Sequence, residues 1–341
     1  MRAGLLLEQC LAPVPGGTGR YSRELFRALS ATAAPGDEVE GWSAWHRGSP
    51  WRRLPLPRRP LIAAWERGRG PGIDADVVHA PTPLHPPRRD RPLVVTVHDA
   101  VAWTHPETLT RRGAAWHRTM ITSAAETADL LVVPTQAVAD ELARHVPLRE
   151  VLVVGEGVSP DLVVPADADE RAARLGLPER FLLMVGSLEP RKGHAEAVAA
   201  LGDLPLLIAG SGGWGDLGLP DDAARLLGRV SDADLAVLYS RATALLVPSH
   251  DEGFGLPLLE AMSLGTPVLT SDAPALVEVA GGAALAVPLA DLREGVQQIT
   301  GDEALRTRLR REGPRRAADF SWVTAAEVLW RAYQDVARTG R

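Results

Sequence analysis

Short apolar runs alternate with amphipathic segments along most of this 341-residue chain. The amphipathic segments repeat their apolar positions at helical spacing; they are Tyr21–Ser30, Thr135–Arg144, Ala233–Arg241 and Pro257–Leu264. The apolar runs are nearly continuous in Val and Leu, as in parallel strands buried on both faces. They are Ala3–Leu7, Val77–Ala80, Leu93–His98, Leu130–Pro134, Val151–Val154, Phe181–Val185, Leu206–Ala209, Ala244–Val247, Pro267–Thr270 and Ala284–Val287. This alternation predicts an α/β fold of doubly wound parallel sheets.

The pattern is weakest around residues 159–171, where two prolines and several acidic residues interrupt it. At about 150 residues per domain, the length predicts roughly two domains. We therefore predict two Rossmann-like domains of similar size, with the boundary at 160/161. A last amphipathic segment, Val323–Val336, follows the second domain.

The composition, 45% apolar and 23% charged, is that of an ordinary globular chain. The single cysteine, Cys10, excludes an internal disulfide framework and a multi-cysteine metal site. No uncharged apolar run is long enough to span a membrane, and the apolar stretch Gly4–Leu7 is too short for a signal peptide. We expect a cytoplasmic protein.

Lysine is almost absent. Lys and Arg together number 37, but Lys192 is the only lysine, and the chain contains no asparagine. Both amino acids use A/T-rich codons, so a G/C-rich genome explains their scarcity. On that background the position of the remaining lysine is informative.

The most basic stretch, residues 51–69, mixes six arginines with tryptophan and proline. Such a run is typical of a solvated loop. The alternative is a surface for an acceptor or for peripheral contact with the inner face of a membrane, where basic and aromatic residues act together on anionic groups. We expect no nucleic-acid partner, because no recognised binding module accompanies the stretch.

In open α/β sheets, ligands bind beyond the carboxyl ends of the strands. After the first strand, Gly16 and Gly17 precede a helix, where they form either a tight turn or a backbone approach to an anion. After the third strand comes His98, which is either structural or directed at a ligand.

Arg191 and Lys192 follow the strand Phe181–Val185. They are either a solvated basic pair or a diphosphate site, since arginine forks across two oxygens while lysine supplies a compact charge. Phosphate chemistry at such a site needs no metal ion, because the two cations neutralise the developing charge.

Glu252 and Glu260 follow the strand Ala244–Val247, eight residues apart. Pro257 suits the first turn of a helix, so free backbone N–H groups are expected near Gly255 and Leu256. Carboxylates hydrogen-bond sugar hydroxyls well; otherwise Glu260 is a helix-dipole charge and Glu252 a loop acid. Spaced carboxylates also suit a glycosidase, but the neighbouring basic pair has no role in one.

Together these motifs resemble glycosyltransferase family 4, the retaining nucleotide-sugar enzymes of GT-B fold. In this chain, EGFGLPLLEAMSLGTPVLTSD is similar to the family's signature, and VGSLEPRKG is similar to its phosphate-binding loop. GGTGRYSREL is similar to its N-terminal glycine loop, and VVTVHD is similar to its histidine strand. The approach to the nucleotide base is similar to GRVSDADLAVLYSRATALLVPS. The resemblance implies two Rossmann-like domains facing a central cleft. Residues 1–160 with a returning helix at 322–341 would bind the acceptor, and residues 161–321 the donor.

The resemblance also implies roles for individual residues. Arg191 and Lys192 would hold the donor diphosphate, with Gly16 and Gly17 approaching it from the other domain. Glu252 would hold the donor sugar hydroxyls and Glu260 the ribose diol. The other implied donor contacts are the backbone at Phe254, Gly255 and Leu256, the base beside Val230, and the transferred sugar facing His98. Where many relatives have Asn-Gly-Val, this chain has Glu156-Gly157-Val158.

The implied reaction is metal-independent retaining transfer of a hexose, of mannose or glucose type, from a nucleotide-diphosphate sugar to an acceptor hydroxyl. No resident cofactor is expected, since the nucleotide sugar is a substrate; GDP-mannose is favoured and UDP-hexose is next. A saccharide, a lipid-linked sugar or a small molecule would be the acceptor. The alternatives are a nucleotide-sugar epimerase of the same fold and a non-catalytic nucleotide-sugar-binding protein.

Overall fold

A computed structural model describes residues 1–210, 212 and 223–339. Their contacts divide the chain into two compact units, one of Met1–Glu156 with the segment from Ser321 onward, the other of Gly157–Phe320. The boundaries expected from the sequence are 160/161 and 321/322. Residues 340 and 341 of the expected C-terminal segment lie outside the described residues.

The first unit contains a seven-stranded parallel sheet in the order β3-β2-β1-β4-β5-β6-β7. Its strands are β1 (Arg2–Leu6), β2 (Glu38–Ser43), β3 (Arg52–Arg53), β4 (Val77–Ala80), β5 (Leu93–Thr96), β6 (Leu130–Val133) and β7 (Val151–Val153). Its helices, numbered along the whole chain, are α1 (Gly16–Thr32), α2 (Arg58–Trp65), α3 (Val101–Thr104), α4 (Arg111–Thr127), α5 (Gln136–Leu142) and α13 (Trp322–Thr339).

The second unit contains a six-stranded parallel sheet in the order β10-β9-β8-β11-β12-β13. Its strands are β8 (Leu182–Val185), β9 (Leu206–Ala209), β10 (Arg225–Gly228), β11 (Ala244–Val247), β12 (Val268–Ser271) and β13 (Leu285–Val287). Its helices are α6 (Ala168–Arg174), α7 (His194–Ala200), α8 (Asp232–Arg241), α9 (Leu256–Ser263), α10 (Pro274–Ala280), α11 (Leu292–Gly301) and α12 (Glu303–Ala317).

The predicted α/β class is confirmed, and every predicted strand is present with small shifts at its ends. The central strands β4, β5, β6, β9, β11 and β12 are buried along their whole length. This burial on both faces is what their continuous apolar sequences indicate. The sequence patterns did not predict β2, β3 and β10.

The C-terminal helix α13 packs within the first unit. Leu329, Tyr333 and Val336 on this helix are buried, at the spacing that forms one apolar helix face. The indole Nε1 of Trp330 donates to the carbonyl oxygen of Leu29 on α1, at 3.1 Å. The helix that returns to the N-terminal unit, expected from the resemblance, is therefore present.

Parallel pairing places the carboxyl ends of neighbouring strands at one edge of each sheet. In the second unit β8 lies next to β11, with Leu182 opposite Ala244. In the first unit β1, β4 and β5 are successive neighbours. The loops that follow these strands carry most of the predicted site residues.

Candidate functional site

Two loops meet at the carboxyl edge of the second sheet. The loop after β8 contains a 3₁₀ turn that carries Arg191 and Lys192. Gly193 follows with φ of 69°, and a Cβ atom there would overlap the carbonyl oxygen of Pro248 in the loop after β11. The backbone N–H of His250 donates to the carbonyl oxygen of Arg191 at 2.9 Å. Because only glycine permits this approach, Gly193 fixes the basic pair against the second loop.

Both cations bind the carboxylate of Glu252. The Lys192 Nζ lies 2.5 Å from Glu252 Oε1, and the Arg191 Nη1 lies 3.2 Å from Oε2. The hydroxyl of Ser249 also donates to Oε1, at 2.9 Å. Arg191 further donates to the carbonyl oxygen of Asp251, at 2.9 Å. Arg191 Nη2 also lies 3.8 Å from Oε2 of Glu189, so two positive charges face two carboxylates at the ends of two adjacent strands.

The electrostatics of this cluster favour an ionised Glu252. Its side chain is only 9% exposed, and this burial alone would raise its pKa. The charges of Lys192 and Arg191, with hydrogen bonds from Lys192 and Ser249, outweigh burial and lower the pKa to about 2. Glu252 is therefore a carboxylate at any physiological pH, so it accepts hydrogen bonds and does not donate a proton.

The same loop leads into helix α9. Gly255 is the residue before the helix, with φ of 87° and Leu276 Cδ2 only 2.5 Å from where its Cβ would lie. Pro257 occupies the first turn, as predicted. Phe254 is buried and packs edge-on against Phe320, with 5.4 Å between ring centroids. Pro257 has no N–H, and the N–H groups of Leu258 and Leu259 donate to the carbonyl oxygen of Gly255. The backbone donors predicted at this end of α9 therefore reduce to the N–H groups of Gly255 and Leu256.

Glu260 lies in α9 and is 2% exposed. Its Oε2 accepts a hydrogen bond from the hydroxyl of Tyr239, at 2.9 Å. It is therefore not a solvated helix-dipole charge. Val230, predicted to lie beside the base, is half-buried and follows β10 by two residues.

The structure thus brings Arg191, Lys192 and Glu252 into one cluster. Their closeness was expected from the strand-end rule, but the partners Ser249 and Tyr239 were not predicted. Ser249 stands three residues before Glu252 in sequence. A hydroxyl close to a predicted carboxylate was the only available signal.

In the first unit, His98 lies two residues beyond the end of β5. Its Nε2 is 2.8 Å from the carbonyl oxygen of Pro81, and its Nδ1 is 3.7 Å from Oε1 of Glu156. The ring of Tyr21 packs edge-on against the imidazole, 4.6 Å between centroids. Burial acts to lower the pKa of His98, but the Glu156 carboxylate outweighs it and the net pKa is raised.

Tyr21, which packs against His98, belongs to a buried series of hydrogen-bonded side chains. The hydroxyl of Tyr333 on α13 is 2.5 Å from Nδ1 of His79, whose Nε2 is 2.8 Å from Oγ1 of Thr96. The hydroxyl of Tyr21 is 3.3 Å from the same Oγ1. Burial, with the charge of His98, lowers the pKa of His79 to about 3. Sequence reasoning missed His79 and Tyr333, because a histidine inside an apolar strand looks like an ordinary core position.

Gly16 and Gly17 form the first turn of α1. Gly16 has φ of 63°, and a Cβ atom at either position would meet no heavy atom within 4 Å. The backbone here is open to a ligand, while the diphosphate role stays a prediction.

Several arginines of the 51–69 stretch have partners inside the first unit. Arg52 pairs with Glu40 at 2.9 Å and lies over the ring of Trp42. Arg58 lies 3.3 Å from the buried carboxylate of Glu8. Four other arginines are exposed, namely Arg53, Arg59, Arg67 and Arg69. The stretch is therefore partly a set of internal ion pairs, and its contact with an acceptor or a membrane stays a prediction.

Within the described residues, no group of three or more His, Cys, Asp or Glu side chains is placed to hold a metal ion. In the same part of the chain, no helix is long and apolar enough to cross a membrane.

Comparison with solved structures establishes the class of fold. Sucrose-phosphate synthase from Thermosynechococcus elongatus superposes with a TM-score of 0.76 at 22% identity, covering 99% of this chain and 100% of that one. HepE from Anabaena, in complex with UDP and glucose, gives a TM-score of 0.75 at 18% identity, covering 98% and 100%. The two parallel-sheet units thus have the GT-B fold.

Sequence comparison gives the family. Residues 15–162 match the Glycosyltransferase Family 4 domain, and residues 167–316 match Glycosyl transferases group 1. O-antigen chain mannosyltransferase B from Escherichia coli is 27% identical over 93% of this chain and 96% of that protein. D-inositol 3-phosphate glycosyltransferase from Streptomyces avermitilis is 34% identical over 60% of this chain and 52% of that protein. The chain belongs to glycosyltransferase family 4.

Proposed function

We propose that this glycosyltransferase moves a hexose, of mannose or glucose type, from a nucleotide-diphosphate sugar to an acceptor hydroxyl, with retention and without a metal ion. One observation carries the proposal. Arg191 and Lys192 converge on Glu252 at the carboxyl ends of β8 and β11, and helix α9 begins at Leu256, four residues after Glu252.

The donor diphosphate is the ligand that this charge distribution suits. The cations here are Arg191 and Lys192, which share the carboxylate of Glu252; Arg191 Nη2 also lies 3.8 Å from Oε2 of Glu189. A guanidinium bridges two phosphate oxygens, and an ammonium adds a compact charge. Arg191 and Lys192 would then do at the leaving diphosphate what a metal ion does in other transferases.

The remaining donor contacts follow the family resemblance. Glu252, held ionised, would accept hydrogen bonds from hydroxyls of the donor sugar, aided by the backbone of Phe254, Gly255 and Leu256. Glu260 would receive the ribose diol and Val230 would lie by the base. On the other unit we assign Gly16 and Gly17 to the diphosphate and His98 to the transferred sugar.

GDP-mannose is the favoured donor, because a relative that matches almost the whole chain is named a mannosyltransferase. UDP-hexose comes next, because a structural neighbour is described in complex with UDP-glucose. Since nucleotide sugars are cytoplasmic metabolites, we place the reaction in the cytoplasm. The first unit would bind the acceptor, and the exposed arginines of the 51–69 stretch would favour an anionic one or the inner membrane face.

The proposed step exchanges one bond for another on the same face of the sugar. The acceptor oxygen forms a bond to C1 as the bond from C1 to the phosphate oxygen breaks. The acceptor proton passes to the leaving phosphate, whose growing negative charge Arg191 and Lys192 stabilise in the transition state. Glu252 does not act as the nucleophile in this scheme, because two cations already engage its carboxylate.

A donor screen tests the proposal. Thermal-shift measurements against GDP-mannose, UDP-glucose, dTDP-glucose and ADP-glucose in EDTA should give stabilisation with at least one of them. Incubation of that donor with a panel of mannosides and inositol phosphates should yield a product with the donor's anomeric configuration by NMR. An inverted product would contradict retention. Conversion of the donor to an isomeric nucleotide sugar without acceptor would indicate an epimerase, and binding without any turnover a non-catalytic binding protein.

A further inference from the structure

His98 and Glu156 form a pair that the family resemblance does not supply, because this chain has glutamate where many relatives have asparagine. Glu156 follows β7 and is 4% exposed, while the side chain of His98 is 12% exposed. Nδ1 of His98 and Oε1 of Glu156 are 3.7 Å apart. Both groups belong to the first unit.

The partners of the two ring nitrogens favour one protonation state of the ring when Glu156 is ionised. A carbonyl oxygen only accepts hydrogen bonds, so the contact of 2.8 Å with Pro81 requires a proton on Nε2. An ionised carboxylate also only accepts, and Nδ1 is the nitrogen that faces it. A neutral imidazole has one N–H and one bare nitrogen, and it would set a lone pair against the carboxylate. The imidazolium carries protons on both nitrogens, so it donates to Pro81 and places its positive charge 3.7 Å from the Glu156 carboxylate.

We infer that Glu156 is a positioning residue that holds His98 as an imidazolium. The ring is then a donor of hydrogen bonds and a positive charge, not a proton acceptor. This effect on transfer rests on the function proposed above, in which His98 faces the transferred sugar. An asparagine at position 156 would hold the ring by a hydrogen bond without supplying the compensating charge.

The other charged and titratable groups around His98 act in both directions. Asp99, the next residue, favours the imidazolium. Burial, and then the charge of His98, disfavours protonation of His79 on β4, which is therefore neutral. Tyr21 on α1 contributes its ring edge, and burial raises the pKa of its hydroxyl, so it too stays neutral. Of these groups, Glu156 supplies the main opposing charge, 3.7 Å from Nδ1 of His98.

The direct test is histidine-ring NMR on the ligand-free full chain labelled with ¹⁵N-histidine, between pH 5 and pH 9. The His98→Gln variant assigns the resonances by their loss. Wild-type protein should show both nitrogens of His98 protonated at neutral pH, with a pKa above the ordinary value of about 6.5. Glu156→Gln should lower the pKa, since burial is then opposed only by the Pro81 carbonyl oxygen and the weaker charge of Asp99. Glu156→Asp, which keeps the charge, should retain most of the increase.

Glu141→Gln is the matched control. Glu141 makes a carboxylate–imidazole pair with His145 in the same unit, at 2.9 Å, so its loss should leave the His98 titration unchanged. A neutral His98 at pH 7 in the wild type, or an unchanged pKa in Glu156→Gln, would overturn the inference. If Glu156→Gln does not fold, the wild-type titration and Glu156→Asp still decide the outcome.

The consequence for transfer is a change in the pH profile. With a protonated ring required, wild-type kcat/KM should fall as the pH rises through the pKa of His98. In Glu156→Gln the fall should begin at lower pH, because lowering the pKa by one reduces the protonated fraction at higher pH about tenfold. An unchanged profile alongside a lowered pKa by NMR would refute the catalytic role of the charge. Absence of transfer from every donor would refute the proposed function and leave the NMR result standing.

Discussion

Replacing Lys192 by methionine removes one cation from the proposed diphosphate site with little change in side-chain length. The ammonium lies 2.5 Å from Glu252 Oε1 and is 18% exposed. Arg191 and Ser249 remain on the carboxylate in the variant. The substitution therefore weakens the cluster without leaving Glu252 unpaired.

The structural cost of this substitution follows from the pKa of Glu252, which is lowered from 4.5 to about 2. Since a tenfold change in an ionisation equilibrium corresponds to roughly 1.4 kcal/mol, the partners, after the opposing effect of burial, favour the ionised form by about 3 kcal/mol. Lys192 provides part of this, so we expect a loss of about 1–2 kcal/mol in the free energy of unfolding at pH 7. Because the folded pKa is depressed, this contribution is present above pH 4.5 and disappears as the pH falls through about 2.

The catalytic cost should be larger. A preorganised charge that acts on the leaving group contributes at least about 100-fold. We therefore expect kcat/KM of Lys192→Met to fall by that factor, with most of the loss in kcat. Steady-state kinetics on the preferred donor, with urea unfolding in parallel, separates this loss from the structural one.

Arg308→Met is the matched control for Lys192→Met. Arg308 belongs to the same unit, and its exposed guanidinium pairs with Glu312 one helical turn away. Its replacement changes the net charge of the protein by the same amount as Lys192→Met, but at the exposed surface of a helix. It should keep normal kinetics. Near-normal kcat/KM in Lys192→Met, or an equal loss in Arg308→Met, would refute the assignment of Lys192.

Three further substitutions test the supporting structure. Gly193→Ala should lower the free energy of unfolding in urea by about 2 kcal/mol or more and weaken nucleotide binding, since the residue has φ of 69° and no room for a Cβ. Gly202→Ala, which has open space around it, should leave both stability and nucleotide binding unchanged. Tyr239→Phe should lower the free energy of unfolding by about 1–3 kcal/mol in the same assay, because it removes a hydrogen-bond donor from buried Glu260. Stability equal to that of the wild type would refute this prediction. Arg306→Met should lower the melting temperature, because the buried guanidinium caps carbonyl oxygens at the end of α11; an unchanged melting temperature would contradict the cap.

The sequence predicted the fold where strands are buried on both faces, because such strands carry continuous apolar runs. It missed β2 since Glu38 and Glu40 interrupt the apolar pattern there. It also missed β10, whose position at the edge of its sheet leaves Arg225 and Leu226 exposed. In these strands the hydrogen-bonded neighbour, not the local composition, defines the element.

The candidate site likewise has a part that the sequence could predict and a part that it could not. Arg191 and Glu252 could be predicted because each follows an apolar strand, and parallel strands bring their ends together. The pairing of His98 with Glu156 could not, since 58 residues separate them and sequence gives no distance between β5 and β7. The contact of His79 with Tyr333 spans 254 residues and depends on how α13 packs.

Binding of a nucleoside diphosphate without a metal ion tests the central claim most directly. Isothermal titration of GDP and UDP in EDTA, against wild-type protein, Lys192→Met and Arg308→Met, compares the proposed cluster with a matched surface charge. We predict binding of at least one of them to the wild type, an affinity at least about tenfold weaker in Lys192→Met, which corresponds to the loss of roughly 1.4 kcal/mol, and no change in Arg308→Met. Equal affinity in all three proteins, or binding only when a divalent cation is added, would contradict the proposal that Arg191 and Lys192 hold the donor diphosphate.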